Sequence, residues 1–243
     1  MLRLLRAWLR MGVLEDGVTA ETGTGTPQGS PISPLLGNVA LHVLDGEWAR
    51  TSSRLGVLVR FADDFVVLCR TRAAAEEALR QVTAILAPLG LQLHPDKTRI
   101  VRLTRGEQGF DFLGFHHHKV ESWRWRGRYY LHRWPSDRAM RQIRAKVREA
   151  TSRREVGRAV EWVVADLNHL LRGWGAYFRY GNSGRKFAQL DNYVQERLAI
   201  FASIKHGRHG RNWQRHYTWA WATRLGTYRL SKTTRNGTAH AVR

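Results

Sequence analysis

The chain has a single cysteine, Cys69, among 243 residues. That excludes an internal disulfide framework and any cysteine-built zinc ribbon or finger, and it fits a reducing cytoplasm. An HNH-type or zinc-dependent nuclease likewise has no ligand set here. No run of about 18 apolar residues occurs, so no hydrophobic helix of membrane-crossing length is expected. Carboxylates are also scarce: 20 Asp and Glu stand against 40 Lys and Arg, leaving a formal charge of +20. A field of that size favours a polyanionic partner, either nucleic acid or an anionic membrane surface. The Arg-rich opening, Met1 to Met11, superficially suggests a transit peptide. It has no serine, and Glu15 and Asp16 follow quickly. Leu2, Leu5, Trp8 and Leu9 share one helical face with Arg3, Arg6 and Arg10 opposite, which predicts a core-facing helix instead.

Charge and aromatics are unevenly placed. Residues 1–115 carry 13 Lys/Arg and 12 Asp/Glu, whereas residues 116–243 carry 27 and 8. Eight of the 10 Trp also lie in the second part. Rings and guanidinium planes can stack on unpaired bases, a use that a purely electrostatic tail would not need. The first part therefore suits folding or chemistry, and the second suits binding.

The spacing predicts an α+β first part. A Thr/Gly-rich loop runs from Thr19 to Gly29, and Ser33 is placed to cap a helix with Pro34 at its first position, running to about Ala49. Val57 to Cys69 reads as two short strands around Ala62-Asp63-Asp64. Thr71 opens an alanine-rich helix that ends at Pro88-Leu89-Gly90. Leu91–Leu103 and Phe110–Val120 read as extended, which gives a mostly antiparallel sheet. Trp123 to Trp134 reads as a small β-ribbon. Helices follow on the faces Met140/Ile143/Val147, Val156 to Trp174 and Phe187 to Phe201, so the chain from about Asp137 onward is a helical bundle. The tail beyond His206 is basic, Gly-punctuated and poorly periodic, and disorder is expected at its end.

Asp63 and Asp64 are the chemical centre. Adjacent carboxylates at the apex of a buried hairpin repel each other, and divalent cations relieve that cost. Mg²⁺ suits one or two carboxylates completed by waters and substrate phosphates. An ordinary acidic turn is the bland alternative. Upstream, the Pro/Gly-rich segment Gly25 to Leu36 either serves as a plain helix entry or holds its backbone near a base pair, with Gln28 adding hydrogen bonds. Lys97 is either a surface lysine or a point charge for a phosphate.

Five ordered blocks carry a resemblance. Thr26-Pro27-Gln28-Gly29-Ser30-Pro31-Ile32-Ser33-Pro34-Leu35-Leu36, Phe61-Ala62-Asp63-Asp64, Leu91 to Thr98 and Phe112-Leu113-Gly114-Phe115 resemble the palm of group II intron reverse transcriptases. Leu167 to Phe178, followed by Phe187 and Leu190-Asp191-Asn192-Tyr193-Val194, resembles the maturase-specific thumb of the same family. The resemblance implies part of a right-hand polymerase palm, an antiparallel sheet with packed helices, followed by an α-helical thumb. It divides the chain into palm (1–120), connecting ribbon (121–136), thumb (137–213) and basic tail (214–243). It makes Asp63 and Asp64 catalytic, metal-binding carboxylates for two Mg²⁺ ions. It sets Gln28, Gly29 and Phe61 beside the template and Lys97 near the phosphates of the incoming nucleotide. Partners implied are intron RNA, an RNA template, a DNA primer and dNTPs, without a membrane.

Two departures are mild: Phe61 stands where the family usually has Tyr, and Ser30 where Gly is common. A third is larger, because the family's first catalytic Asp lies on a strand upstream of the region matching Met1. The chain is therefore expected to be a truncated piece that binds RNA but polymerises little. A non-catalytic RNA-binding maturase with a remnant palm is the alternative.

In the second part, Arg124, Arg126 and Arg128 alternate with Trp123, Trp125, Tyr129 and Tyr130. That is either a stacking and phosphate-binding surface or a ribbon packed on the palm. Arg138, Arg141, Arg144, Arg148, Arg153 and Arg154 form a largely solvated face suited to RNA backbone, and Arg172 lies in the thumb block. His116-His117-His118 makes a poor metal tripod, because consecutive strand residues face opposite ways. Trp174 and Phe178 are expected in the bundle core.

Overall fold

The computed structural model describes residues 13–15, 18–20, 32–207 and 213–233, besides Arg3, Arg6 and Ala7. Most of the expected first helix, with Gln28 and Gly29, lies outside these residues. The chain is α+β and divides into two compact units, Met1–Ile100 and Val101–Arg243.

The first unit begins with two short strands, β1 (Val13–Glu15) and β2 (Val18–Ala20), paired antiparallel with Val13 opposite Ala20. Thr19 is thus a strand residue rather than the start of a loop. Helix α1 (Ser33–Glu47) begins one residue earlier than expected, with Ile32 at the cap position and Leu36 N–H donating to the Ile32 carbonyl at 3.0 Å. Ser33 is therefore the first helical residue and not the cap. Pro34 still falls in the first turn, where a missing N–H costs nothing. A wider turn, Trp48–Ser52, continues the helix, and the Trp48 indole donates to Gly56 O at 3.1 Å. Strands β3 (Gly56–Phe61) and β4 (Asp64–Cys69) pair in the expected hairpin. Helix α2 (Arg72–Leu86) is capped by Thr71, whose Oγ accepts from Ala74 N–H at 3.1 Å. It ends as expected, in a tight turn over Ala87–Leu89 with Gly90 left-handed at φ 70°. Leu44 and Trp48 of the first helix meet Ala78, Val82 and Leu86 of the second, with Leu58, Phe65, Val67 and Cys69 laid against them.

Residues 91–103 are irregular, not extended in a strand. A turn closes on His94, whose carbonyl accepts from Lys97 and Thr98 N–H at 3.2 and 3.0 Å. Pro95 inside this turn cannot donate to a ladder, so the segment takes the turn instead. Among the described residues, the mostly antiparallel sheet expected from the sequence is three separate small ones, all antiparallel.

The second unit contains a three-stranded sheet, β5 (Gly109–Phe112), β6 (Phe115–Glu121) and β7 (Tyr129–Pro135), in that order. Helices α3 (Asp137–Ala150), α4 (Val160–Phe178) and α5 (Gly184–Lys205) follow. Ser136 caps α3, its Oγ accepting from Ala139 N–H at 3.2 Å. Met140, Ile143, Val147, Leu167, Leu171, Phe178, Phe187, Leu190 and Leu198 form one core between the helices. The sheet is fastened to this bundle: Phe115 packs on Phe178 with ring centroids 4.8 Å apart, and Tyr177 OH donates to Leu113 O at 2.8 Å. Asn182 N–H donates to Arg133 O at 2.6 Å. Gly181 lies so close that an added Cβ would stand 2.5 Å from the same Arg133 carbonyl oxygen. Gly181→Ala is expected to lower stability by about 1–3 kcal/mol, read by urea unfolding, because a backbone oxygen must move to admit the methyl.

Within the described part of the tail, residues 213–233 take regular structure despite their weak periodicity, and the end expected to be disordered lies outside the described residues. Short helices α6 (Trp213–His216) and α7 (Trp219–Arg224) precede a turn over Leu230–Thr233, and Ala222 and Leu230 are fully buried. Polar side chains of α4 and α5 hold this segment, a feature that apolar periodicity cannot reveal.

Candidate functional site

Asp63 and Asp64 sit at the tip of the β3–β4 hairpin. Phe61 pairs with Asp64 across the closing rung, so Ala62 and Asp63 make a two-residue turn. Ala62 is left-handed at φ 53°, a conformation that costs a residue with a Cβ about 1–2 kcal/mol. The Arg60 guanidinium supports it, donating to the Ala62 carbonyl at 2.7 Å. The same guanidinium grips the Asp45 carboxylate with both remaining nitrogens, one at 2.9 Å, and donates to Asn38 Oδ1 at 3.0 Å. Arg60 is only 11% exposed, and it ties the tip to α1 through three acceptors. Its guanidinium, first by hydrogen bonding and then by its charge, holds the Asp45 carboxyl below the ordinary value of 3.8.

One expectation is corrected. The hairpin is not buried: Asp63 and Asp64 are exposed, and so are Val57, Val59, Phe61 and Leu68 on the outer face. Only the inner face, with Leu58, Phe65, Val67 and Cys69, is covered by α1 and α2. Asp64 and Phe61 share the outer face as cross-strand partners. Neither aspartate forms an ion pair with a described residue. Two adjacent acceptor-only groups open to solvent suit a hard cation that keeps several waters. Among the described residues no group of three or more His, Cys, Asp or Glu is gathered for a metal. Lys97 is exposed in the turn that closes on His94, within the same unit.

In the second unit, the turn between β6 and β7 presents Trp123, 94% exposed, and Trp125 with the Arg124 and Arg128 guanidinium groups at 5.2 and 5.7 Å from its ring. Ser122 Oγ accepts from Arg124 and Trp125 N–H, and Glu121 accepts from Gly127 N–H at 2.7 Å, which fixes the turn. Arg126 is exposed beside them. The ribbon is held to the turn between α4 and α5 of its own unit: Arg133 O accepts from Asn182 N–H at 2.6 Å, and the Arg133 guanidinium donates to Tyr180 O at 3.2 Å. Arg138, Arg141, Arg148, Arg153 and Arg154 are exposed as expected, but Arg144 is not on that solvated face. It is half-buried over the Tyr193 ring at 5.6 Å, because it comes one residue after the inward Ile143. Arg172 is exposed over Tyr228 at 5.5 Å.

The three histidines divide between faces as expected. His116 and His118 flank Trp134, while His117 stacks on Phe110 at 5.0 Å. Burial, with Arg133 second, pushes the His117 pKa down. His116 Nδ1 lies 2.6 Å from Asp111, its cross-strand partner in the β5–β6 pair. Phe178 is buried and Trp174 packs against the same core, as expected. No described helix is long and apolar enough to cross a membrane.

Sequence reasoning missed Arg60, Asp45 and Asn38 around the hairpin and Arg229 and Lys232 around the tail, and it took Asp191 and Asn168 only as members of the thumb blocks, without their bonds to the tail. A lone Arg between Val59 and Phe61 was the available signal for the first group: a charge in an apolar strand needs a partner.

Comparison with known proteins sets this geometry in context. The family model for reverse transcriptase (RNA-dependent DNA polymerase) matches residues 2–117, and that for the group II intron maturase-specific domain matches residues 140–222. Protein YkfC of Escherichia coli (strain K12) is 29% identical, over 46% of this chain and 37% of its own. A retrovirus-related Pol polyprotein from type-1 retrotransposable element R2 of Nasonia vitripennis is 33% identical, over 32% of this chain and 8% of its own. The chain thus spans little more than a third of the first relative's length and a small part of the second's. With a reverse transcriptase segment around the Asp63-Asp64 hairpin and a maturase-specific segment across α3 to α7, in that order, the chain belongs to the group II intron reverse transcriptase/maturase family.

Proposed function

We propose that this chain serves RNA-templated DNA synthesis and intron RNA binding, with the chemistry on the Asp63-Asp64 hairpin and the binding on residues 121–233. The observation that carries this reading is the pair of solvent-open carboxylates at a braced hairpin tip within the reverse transcriptase match. Asp63 and Asp64 are the residues that would hold Mg²⁺, which when bound stabilises charge on the attacking and leaving oxygens of phosphoryl transfer. Arg60 keeps the tip in place, and Phe61 presents its ring beside Asp64 on the open face. Gln28, Gly29 and Lys97 are proposed to meet template and nucleotide. Arg124, Arg126, Arg128, Arg138, Arg141, Arg148 and Arg172 would track RNA phosphates, while Trp123 offers a ring for an unpaired base. Within this scheme residues 1–120 act as palm and 137–213 as thumb, in a cytoplasmic ribonucleoprotein.

Among the described residues the hairpin tip offers two carboxylates, and two hold a metal pair less well than three. Losing one preorganised charge-stabilising element typically costs about 3–4 kcal/mol in the barrier, so weak extension is expected of this chain. A second reading, a non-catalytic RNA-binding maturase, is favoured by the absence of a third ligand near the hairpin among the described residues. Mg²⁺-dependent primer extension on an RNA template, compared with Asp63→Asn/Asp64→Asn, separates them. Faint product that vanishes in the variant, with RNA affinity unchanged, supports catalysis at the hairpin. No product from either chain, with affinity intact, favours the second reading. Equal product from both removes Asp63 and Asp64 from the chemistry.

A further inference from the structure

Residues 217–233 build a second feature that the polymerase reading does not use. Gln195 Nε2 donates to Tyr217 O at 2.6 Å. Asn168 donates to Gly226 O at 2.8 Å and accepts from Tyr228 N–H at 2.7 Å. Asp191, 4% exposed, accepts from Leu230 and Ser231 N–H at 2.9 and 3.0 Å. These bonds set the segment against α4 and α5, beside a shallow, open cavity of about 310 Å³ lined by Arg172, Arg229, Lys232, Thr223, Thr227 and Thr233, with Gly226 and Tyr228.

The lining is of one sign. It holds three cations and three threonine hydroxyls, besides the Tyr228 phenol, with no carboxylate, and none of the three cations is in an ion pair with a described residue. Two guanidinium groups are laid on rings: Arg172 over Tyr228 at 5.5 Å and Arg229 over Trp219 at 4.4 Å. Stacking restrains the planes and leaves their edge N–H groups for acceptors. Arg229 Nε and Thr227 Oγ are shielded from solvent and have no hydrogen-bond partner among the described residues. Unmet buried polar atoms cost free energy unless a ligand meets them.

We propose that this cavity is a phosphate site for the RNA backbone, taking one phosphodiester between Arg172, Arg229 and Lys232 with Thr227 as a hydroxyl partner. The inference rests on the RNA-binding reading above and deepens it to a specific contact. Because guanidinium groups cover the Tyr228 and Trp219 rings, the site reads phosphate and not bases, so it acts independently of sequence.

The full chain is titrated with a fluorescent structured RNA over a range of salt, beside Arg172→Gln/Lys232→Gln, Thr227→Val and a charge control, Arg72→Gln/Arg80→Gln. In the control, both arginines lie on the first unit and pair with Glu76 and Glu77. The Arg172/Lys232 variant is expected to bind on the order of tenfold more weakly, with its log–log salt slope reduced by about two and equally for unrelated RNA sequences. Thr227→Val is expected to weaken binding severalfold at unchanged charge, and the control to bind nearly as the parent does. Amide resonances of residues 226–233 should shift saturably with RNA, and inorganic phosphate at constant ionic strength should compete. That titration decides the matter even where a variant fails to fold. Loss no greater than in the control, while the parent binds RNA, overturns the pocket and leaves the wider reading standing. Phosphate binding with RNA affinity unaffected by the variants makes it a free-anion site and overturns the RNA assignment. A parent chain that binds no RNA overturns the reading on which the proposal rests.

Discussion

Asp191→Ala is expected to destabilise residues 101–243 by about 3 kcal/mol and to expose the segment 217–233 to trypsin. The carboxylate is buried and receives two backbone N–H groups, from Leu230 and Ser231. Hydrogen bonds to a charged group contribute about 1.5–3 kcal/mol, and a buried donor stripped of its acceptor costs about 1–3 kcal/mol. Leu230 is wholly buried against α4, where an added Cβ on Gly175 would come within 2.4 Å of its side chain. Losing the carboxylate therefore also threatens a close apolar contact. Asp191→Asn keeps one acceptor oxygen and should fall between parent and alanine. Urea unfolding gives the first quantity and the time course of proteolysis the second. If the alanine variant unfolds and is cleaved as the parent is, the tail is held by something other than Asp191.

Arg60→Leu is expected to cost about 2 kcal/mol in the first unit and to loosen the hairpin tip. The substitution takes donors from Asp45, Asn38 and the Ala62 carbonyl at once. The magnitude is kept below that of a fully buried pair because Asp45 is about a third exposed. Arg60→Lys should recover little, since a single ammonium cannot span a carboxylate fork, an amide and a carbonyl. Thermal unfolding measures the cost, and faster amide exchange at Ala62 to Asp64 reports the loosened tip. A pH dependence goes with it. The Asp45 pKa is held below 3.8 by Arg60, so its contribution to stability is fully present above that value and fades as pH falls through the lower, folded-state value. The parent should lose this contribution in acid, and Arg60→Leu should lose much less, since only the weaker effect of His42 then lowers the Asp45 pKa. Equal acid sensitivity in both chains would detach Asp45 from the bracing.

Much of the fold is legible in the sequence because local chemistry decides it. Thr71 and Ser136 cap their helices through their own hydroxyls, Gly90 ends one, and the β-branched runs on either side of Asp63-Asp64 leave only a hairpin. The core of the second unit follows from 3.6-residue spacing alone, from Met140 to Phe201. What escapes the sequence is decided by partners far along the chain. Asp191 and Asn168 order a tail whose own periodicity is weak, at separations of about 40 to 60 residues. Leu91–Leu103 reads as extended but takes a turn at Pro95, and among the described residues no strand pairs with it.

The candidate site divides in the same way. Asp63 and Asp64 are readable as an acidic pair, whereas their exposure and their bracing by Arg60 depend on which hairpin face the helices cover. Arg144 was misplaced among the solvated arginines because a charge pattern does not show the Tyr193 ring beneath it.

The measurement that bears most directly on the account is the RNA affinity of the full chain as a function of salt. About 6–10 phosphate contacts on the basic unit predict a loss of roughly 10³–10⁵ in affinity between about 50 and 200 mM salt. Asp63→Asn/Asp64→Asn should leave that slope unchanged, because the hairpin carboxylates belong to the chemistry and not to the backbone contacts. A flat salt response, or RNA binding that disappears with the two aspartates, would contradict the division between a catalytic hairpin and a basic binding unit.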